Sequence, residues 1–149
     1  IEDDKIVDFH TVMTGEMFGI LSTHGSLAPL FRKENQLEAN DWHEESFSEG
    51  ITLAQQDHGV LSNIWQVRSR KFYAENPPKN LTAFLSGILI GHELRHAEQN
   101  YPGKKEVVLL ADADRRREYY HQALGLRGWK IIAEMDSETA VCTGLLRLL

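Results

Sequence analysis

The feature that constrains this chain most is a continuous apolar stretch at residues 81–94, LTAFLSGILIGHEL. Apolar side chains occupy nearly every side of the helix that this stretch predicts, so the fold must cover the helix from several directions. The stretch is shorter than the ~20 apolar residues that span a bilayer, and it carries His92 and Glu93 near its end. It therefore predicts a buried central helix, with no membrane as a partner.

Two glycines in this helix, Gly87 and Gly91, add a second constraint. Each lowers helix stability by about 1 kcal/mol relative to alanine, which is most simply explained by another backbone packed closely against them. Ser86 and Glu93, seven residues apart, share the remaining polar side. Two interpretations stay open: either both are hydrogen-bonded locally at the edge of the core, or both face a ligand cleft.

The rest of the sequence predicts an α/β fold that is rich in helices and has a small mixed sheet. Strand signals lie in KIVDFHTVM, VVLLA and KIIAEM, which are residues 5–13, 107–111 and 130–135. Helical spacing covers residues 16–25, 44–56, 60–73, 79–100, 115–126 and 137–149. The last four of these elements in sequence form a β-α-β-α unit. VVLLA is wholly apolar, which is typical of a strand buried in a parallel sheet.

Length and charge narrow the class of protein. With 149 residues and 42% hydrophobic content, the chain is long enough for one domain with a real core. A net charge of -6 provides no broad cationic surface, so we expect no nucleic acid partner. The single Cys142 and the absence of an apolar leader favour a cytoplasmic protein. Because the chain begins with Ile1 instead of Met, we expect it to be part of something longer.

His92, Glu93 and His96 together spell H-E-x-x-H, the zinc-binding pattern of many metalloproteases. On a helix the two histidines share a face, but a metzincin continuation would need glycine and histidine where Gln99 and Pro102 stand. The competing interpretation is that both histidines lie at the end of the apolar face. We predict no metal site, and keep a zinc hydrolase as an alternative that bound zinc would reveal.

Several polar groups have both a structural and a functional interpretation. Thr14 follows a strand signal and precedes a helix, so it either caps that helix or contacts a ligand beside Gly15. Asp112 and Asp114 either cap the helix that begins at Arg115 or bind a ribose hydroxyl.

Other side chains have mainly structural interpretations. Arg68, Arg70 and Lys71 are typical of a solvated helix face. Trp65 and Phe72 are expected in the core. Glu138 and Thr139 are expected to stabilise the N-terminus of the helix that begins near residue 137.

Four segments, FLSGILIGHEL, DFHTVMTGE, FSEG and WQVRSR, closely resemble the 2-dehydro-3-deoxygalactonokinase family of sugar-acid kinases. The resemblance extends from about Lys5 to Leu146, and in its pattern Glu93 belongs whereas both histidines are incidental. It implies an actin-like, ribonuclease-H-like ATPase fold of two lobes, with the nucleotide between them. Residues 1–149 would be the C-terminal lobe, and the chain's main partner would be its own N-terminal lobe.

The resemblance also implies a reaction and its cofactors. The parent enzyme would use ATP and Mg²⁺ to phosphorylate the 6-hydroxyl of the sugar acid 2-dehydro-3-deoxy-D-galactonate in galactonate catabolism. The implied cofactor contacts in this chain are Thr14, Gly15, Glu16, Ser86, Glu93, Asp112 and Asp114. No catalytic residue is assigned to this chain, because the phosphate turn and the catalytic acid belong to the N-terminal lobe. The chain alone is therefore expected to be inactive.

One departure from the family pattern keeps a further alternative open. Asp112-Ala113-Asp114 stands where a small, often glycine-containing turn would let the backbone approach the adenosine. A carboxylate at this turn would disfavour a nearby phosphate. A degenerate lobe that has lost its nucleotide site, and is not catalytic, is the corresponding alternative.

Overall fold

The computed structural model describes residue 8 and residues 10–31, 43–110 and 115–146. Within them are six α-helices and two strands. In chain order these are α1 (Thr14–Thr23), α2 (Glu44–Leu53), α3 (Val60–Tyr73), α4 (Leu81–Asn100), β1 (Glu106–Leu110), α5 (Arg115–Leu126), β2 (Lys130–Met135) and α6 (Ser137–Leu146). A short 3-10 helix, Ala28–Phe31, follows α1. None of the described helices combines the length and apolarity that crossing a bilayer requires.

Helix α4 is the centre of the fold, as its sequence predicts. Its first residues are stabilised by Asn80, whose side chain accepts a hydrogen bond from the backbone N–H of Ala83 at 2.9 Å. Beyond its end, Gly103 adopts a φ of 78°, a left-handed conformation that glycine reaches without strain. Eleven of its residues are buried, from Leu81 to Leu94.

The close packing predicted from Gly87 and Gly91 is confirmed. A Cβ atom added at Gly87 would collide with the carbonyl oxygen of Phe47 and lie 3.1 Å from Cα of Gly50. A Cβ at Gly91 would lie 2.6 Å from Cβ of Ala54. Gly50 of α2 is itself pressed against α4, since its added Cβ would lie 2.8 Å from N of Ile88. The two helix backbones therefore touch along three glycines.

Two groups of buried side chains surround α4. One lies towards α1, the 3-10 helix and α3, and includes Leu30, Ile64 and Val67 packed on Phe84 and Ile88. The other lies towards α2, α5 and the strands, where Phe47 stacks on Tyr119 with ring centroids 4.8 Å apart. Because α4 contributes to both groups, its apolar residues are covered on several sides.

The described sheet has two strands, β1 and β2, connected by α5. They are parallel, so the predicted mixed sheet is not found among the described residues. Residue pairs run from Glu106 with Lys130 to Leu110 with Met135, and the register shifts between Val107 and Val108. The prediction that the VVLLA strand is buried was wrong for one face, because Val108 and Leu110 are 51% and 56% exposed. Nothing in the described part of the chain covers the face of the sheet opposite α4.

The prediction that Trp65 and Phe72 lie in the core was also wrong. Trp65 is 50% exposed and Phe72 is 57% exposed. Between them on α3, the Arg68 guanidinium lies 5.9 Å from the ring centroid of Trp65 and 5.4 Å from that of Phe72. The same side chain donates to the carbonyl of Ser26 at 3.1 Å. The seven-residue spacing thus gives a shared face of α3, but that face points outward.

The C-terminal end of α4 is tied to the strands by Glu98. Its carboxylate accepts hydrogen bonds from Lys105 Nζ at 2.6 Å, from Trp129 Nε1 at 3.1 Å, and from Arg127. Burial alone would raise the pKa of this carboxyl, but the three donors outweigh burial and hold the pKa below its ordinary value.

Candidate functional site

A cleft of about 480 Å³ lies where the start of α1 meets the second half of α4 and the loop between α2 and α3. Its apolar lining is Val12, Met13, Met17, Val60 and Leu89, its polar lining is Thr14, Asp57, His92, Glu93, Arg95, His96 and Gln99, and Gly59 completes it. Apolar walls with a few convergent polar groups are typical of small-molecule sites. We therefore take this cleft as the candidate site.

Glu93 joins three helices at the edge of the cleft. The hydroxyl of Thr14 on α1 donates to Glu93 Oε2 at 2.6 Å, and the hydroxyl of Tyr120 on α5 donates to the same oxygen at 2.8 Å. All three residues are partly buried. Hydrogen bonds to a charged acceptor are stronger than neutral ones, so the two hydroxyls hold the carboxylate in place.

The segment before α1 is held against the end of α4. The rings of His10 and His96 meet edge to face with centroids 5.3 Å apart, and the hydroxyl of Tyr101 donates to Asp8 at 3.1 Å. These contacts fix where α1 begins and so bring Thr14 to Glu93.

Thr14 does not cap its helix, so the capping interpretation was wrong. The N-cap position belongs to Met13, and no side chain there makes a capping hydrogen bond. Thr14 is instead the first helical residue, and its hydroxyl is directed across to α4. The structure thus gives Thr14 a role at the cleft edge that local sequence rules did not predict.

The other predicted contacts lie in different places. Gly15 is exposed, and no atom approaches within 4 Å of where its Cβ would be, so the space beside Thr14 is open. Glu16 is exposed on the first turn of α1 and does not line the cleft. Ser86 is buried in α4, two turns before Glu93, and is also absent from the cleft lining. Asp112 and Asp114 lie outside the described residues.

The two histidines of the H-E-x-x-H pattern have separate surroundings. Nε2 of the half-buried His92 lies 3.1 Å from the side-chain amide nitrogen of Asn63. Burial, and then the positive charge of Arg95, lower the pKa of His92 below its ordinary 6.5, so the ring is neutral at pH 7 and accepts this hydrogen bond. His96 is exposed and contacts Asn100. Within the described ranges, no three side chains are grouped to hold a metal ion.

Arg95, the basic side chain that lines the cleft, already has anionic and polar partners. It donates to Asp57 at 3.0 Å and to the carbonyls of Gln56 at 3.1 Å and Ala54 at 3.4 Å. These contacts pin the loop between α2 and α3 to α4. They also compensate the arginine's charge, so the cleft around Glu93 does not present an anion-binding surface.

Tyr120 was missed by the sequence analysis. It follows Tyr119, which packs on Phe47, and no spacing rule connects position 120 with position 93. Only the packing of α5 on α4 brings the two together, across 27 residues of sequence. The available signal was the hydroxyl of Tyr120, a polar group on the side of α5 that packs on α4.

Comparison with known proteins places the chain in a family. A family model described as 2-keto-3-deoxy-galactonokinase matches residues 1–148. The chain therefore belongs to the 2-keto-3-deoxy-galactonokinase family.

Individual relatives carry the same name for the activity. A 2-dehydro-3-deoxygalactonokinase of Escherichia coli (strain K12) is 28% identical over 97% of this chain and 47% of that protein. A probable 2-dehydro-3-deoxygalactonokinase of Rhizobium meliloti (strain 1021) is 26% identical over 97% of this chain and 46% of the relative. The chain thus spans about half the length of the curated relatives that it matches.

A solved structure has a fold similar to that of this chain. The crystal structure of a Sinorhizobium meliloti protein, assigned as a 2-dehydro-3-deoxygalactonokinase, superposes with a TM-score of 0.75. It is 25% identical, and the match covers 99% of this chain and 46% of that chain. The fold of this chain is therefore shared with about half of that protein.

Proposed function

We propose that this chain is the C-terminal lobe of an actin-like sugar-acid kinase. The observation that carries the proposal is the family match over residues 1–148, together with relatives about twice as long. The complete enzyme would transfer the γ-phosphate of ATP to the 6-hydroxyl of 2-dehydro-3-deoxy-D-galactonate. The relatives' names, 2-dehydro-3-deoxygalactonokinase, support the class of reaction and the sugar acid. An N-terminal lobe would be this chain's partner and would supply the groups that act on the phosphate.

The cleft at Glu93 is the proposed nucleotide side of the site. Its apolar walls suit a planar base, and Glu93 suits the hydrogen-bond donors of a nucleoside. Thr14 and Gly15 border it at the start of α1, where the backbone is open. Closure of the two lobes on the substrates would exclude water that could otherwise accept the phosphoryl group.

Mg²⁺, which kinases of this kind use with ATP, is commonly bound by one or two carboxylates together with the phosphates of the substrate and water. The described residues contain no group of three carboxylate or imidazole ligands. Phosphoryl transfer needs the charge on the phosphates to be neutralised where they lie. In our proposal the phosphates therefore lie away from Glu93 and Asp57, towards the N-terminal lobe.

A turnover measurement tests this function. The complete protein that contains this chain is given ATP, Mg²⁺ and 2-dehydro-3-deoxygalactonate, and released ADP and the phosphorylated product are followed, with the 149-residue chain as control. We expect sugar-dependent ADP release by the complete protein and none by the chain alone. A folded complete protein without turnover would favour the degenerate lobe, and turnover with another sugar acid would correct the substrate.

Neither alternative from the sequence gains support. The H-E-x-x-H histidines have different surroundings, and the named relatives are kinases rather than hydrolases. The degenerate lobe was suggested by Asp112-Ala113-Asp114, which lies outside the described residues.

A further inference from the structure

The carboxylate of Glu93 has two oxygens in different situations. Thr14 and Tyr120 both donate to Oε2, at 2.6 and 2.8 Å. One carboxylate oxygen offers about two lone-pair positions, so these two hydroxyls occupy Oε2. Within the described residues no donor is seen on Oε1, although Glu93 lines the cleft. We name the arrangement of Thr14 and Tyr120 on Oε2 the hydroxyl clamp.

The surroundings of Glu93 determine which ligand group its free oxygen would accept. An ionised carboxylate only accepts hydrogen bonds, so its partner must be a donor. Phosphate oxygens are negatively charged and would be repelled by Glu93 and by Asp57 in the same cleft. Arg95 cannot offset this repulsion freely, because it is bound to Asp57 and to two carbonyls.

We propose that Glu93 Oε1 is a subsite for an uncharged hydrogen-bond donor of the ligand, a hydroxyl or an amino group of the nucleoside. Thr14 and Tyr120 are positioning residues that act through Glu93 and do not touch the ligand. This inference rests on the proposed nucleotide role of the cleft. It adds that the phosphates do not contribute to binding at this point.

The clamp makes the subsite depend on two helices at once. Glu93 is carried by α4, whereas its two donors come from α1 and α5, which are 79 and 27 residues away in sequence. A carboxylate side chain without such donors would exchange rotamers and lose part of its hydrogen-bonding energy to disorder. Loss of one donor should therefore weaken ligand binding indirectly, by about fivefold to tenfold.

Titration of the complete protein that contains this chain with nucleosides tests the subsite. Adenosine and ATP are titrated into the wild type and into the variants Glu93→Ala, Tyr120→Phe and the double variant. We expect Glu93→Ala to weaken both ligands by a similar factor, about tenfold. We expect Tyr120→Phe to weaken adenosine about fivefold in the wild type and to have no further effect in the Glu93→Ala background. Tyr73→Phe, which removes an exposed tyrosine hydroxyl on α3, is the control and should change nothing.

Titrations with two kinds of adenosine analogue identify the donor group of the ligand. Weaker binding of 2′-deoxyadenosine or 3′-deoxyadenosine, with the loss absent in Glu93→Ala, would assign a ribose hydroxyl. The same pattern with inosine, which lacks the amino group of adenosine, would assign that amino group. If every analogue lost the same affinity in both backgrounds, the subsite would be overturned.

The failures of the subsite and of the proposed function are distinguishable. ATP binding that is insensitive to Glu93→Ala overturns the subsite but leaves the nucleotide role intact. Equal losses from Tyr120→Phe in both backgrounds mean that the tyrosine contacts the ligand itself, which overturns its positioning role. If the wild type binds neither ligand, the nucleotide role and the subsite both fail for this chain.

Thermal unfolding without ligand tests the hydroxyl clamp independently of ligand binding. Tyr120→Phe should lower the midpoint in the wild type and have a smaller effect in the Glu93→Ala background. Equal lowering in both backgrounds would show that the Tyr120 hydroxyl does not act on Glu93, and would overturn the clamp.

Discussion

Single glycines decide how closely the two central helices approach. Gly50, Gly87 and Gly91 lie where a side chain would strike the opposite backbone or Ala54. Close contact of this kind is retained despite the loss of helix stability that each glycine causes. The requirement was visible in the sequence of α4 for two of the three, because glycine has little other reason to occur in an apolar helix. Gly50 was not singled out, since α2 is only partly apolar.

Replacement of Gly87 by alanine should destabilise the chain. The added methyl group would collide with the carbonyl oxygen of Phe47, which belongs to the backbone of α2 and cannot rotate away. We expect the free energy of unfolding to fall by about 1–3 kcal/mol or more, the usual cost of overpacking a core. Urea denaturation followed by circular dichroism measures it.

Gly144 provides the matched control for this substitution. It also lies inside a helix, α6, but no atom comes within 4 Å of its added Cβ. Gly144→Ala should therefore raise stability by roughly 0.5–1 kcal/mol, through helix propensity alone. If Gly87→Ala were as well tolerated as Gly144→Ala, the close packing of α2 on α4 would be contradicted.

Whole elements were predicted well where the signal is local. The ranges of α3, α5 and β2 agree with the sequence prediction, because apolar periodicity, prolines and glycines mark their ends. Helix α4 begins two residues later than predicted, at Leu81, where Asn80 caps it. The strand predicted at residues 5–13 was wrong where the structure describes it, because Asp8 and His10 to Met13 have no regular structure, whereas residues 5–7 and 9 lie outside the described residues.

Contacts between elements were predicted less well, for a physical reason. The exposed face of α3 and the open face of the sheet depend on what packs against them, which periodicity does not specify. The link from Thr14 to Glu93 joins residues 79 apart, and a short-range capping rule offered a competing explanation. Glu93 was identified as a candidate from its helix position, whereas Tyr120 was not.

The hydrogen bonds of the Glu98 carboxylate at the end of α4 should make the free energy of unfolding depend on pH in the acid range. The folded-state pKa of Glu98 is lowered, so its contribution is fully present above the ordinary pKa of 4.5 and is lost as pH falls through the lower folded value. We expect the wild type to lose more stability between about pH 6 and about pH 3 than Glu98→Gln does. Denaturation curves at several pH values measure this difference.

The control for Glu98 is Glu75, which is exposed between α3 and α4. Glu75→Gln should leave the pH dependence of the wild type unchanged. A Glu98→Gln variant that retained the full acid sensitivity would show that the Glu98 carboxylate is not the source of the pH dependence.

At the scale of the whole molecule, the sheet has an unusual exposed face. Parallel sheets are normally covered on both sides, yet Val108, Leu110 and Ile132 are each more than half exposed in the described structure. The molecule therefore presents more apolar surface here than a sheet of this type normally leaves open.

We expect this surface to bind a hydrophobic fluorescent dye in the isolated chain. The double variant Leu110→Lys with Ile132→Lys should reduce dye fluorescence without lowering the unfolding midpoint, because neither side chain is buried. Glu118→Lys, on the exposed side of α5, changes the net charge by the same amount and removes no apolar area. Equal dye binding in all three proteins would contradict an accessible apolar sheet face.

The most direct test of the proposed function is to locate nucleotide binding on this chain. Two-dimensional NMR of the isotopically labelled chain, titrated with ADP, reports each backbone amide separately. We expect shifts at Thr14, Gly15 and Glu93, and none at Trp65 or Phe72 on the far face of α3. Shifts confined to α3, with none at Thr14, Gly15 or Glu93, would contradict the placement of the nucleotide in this cleft.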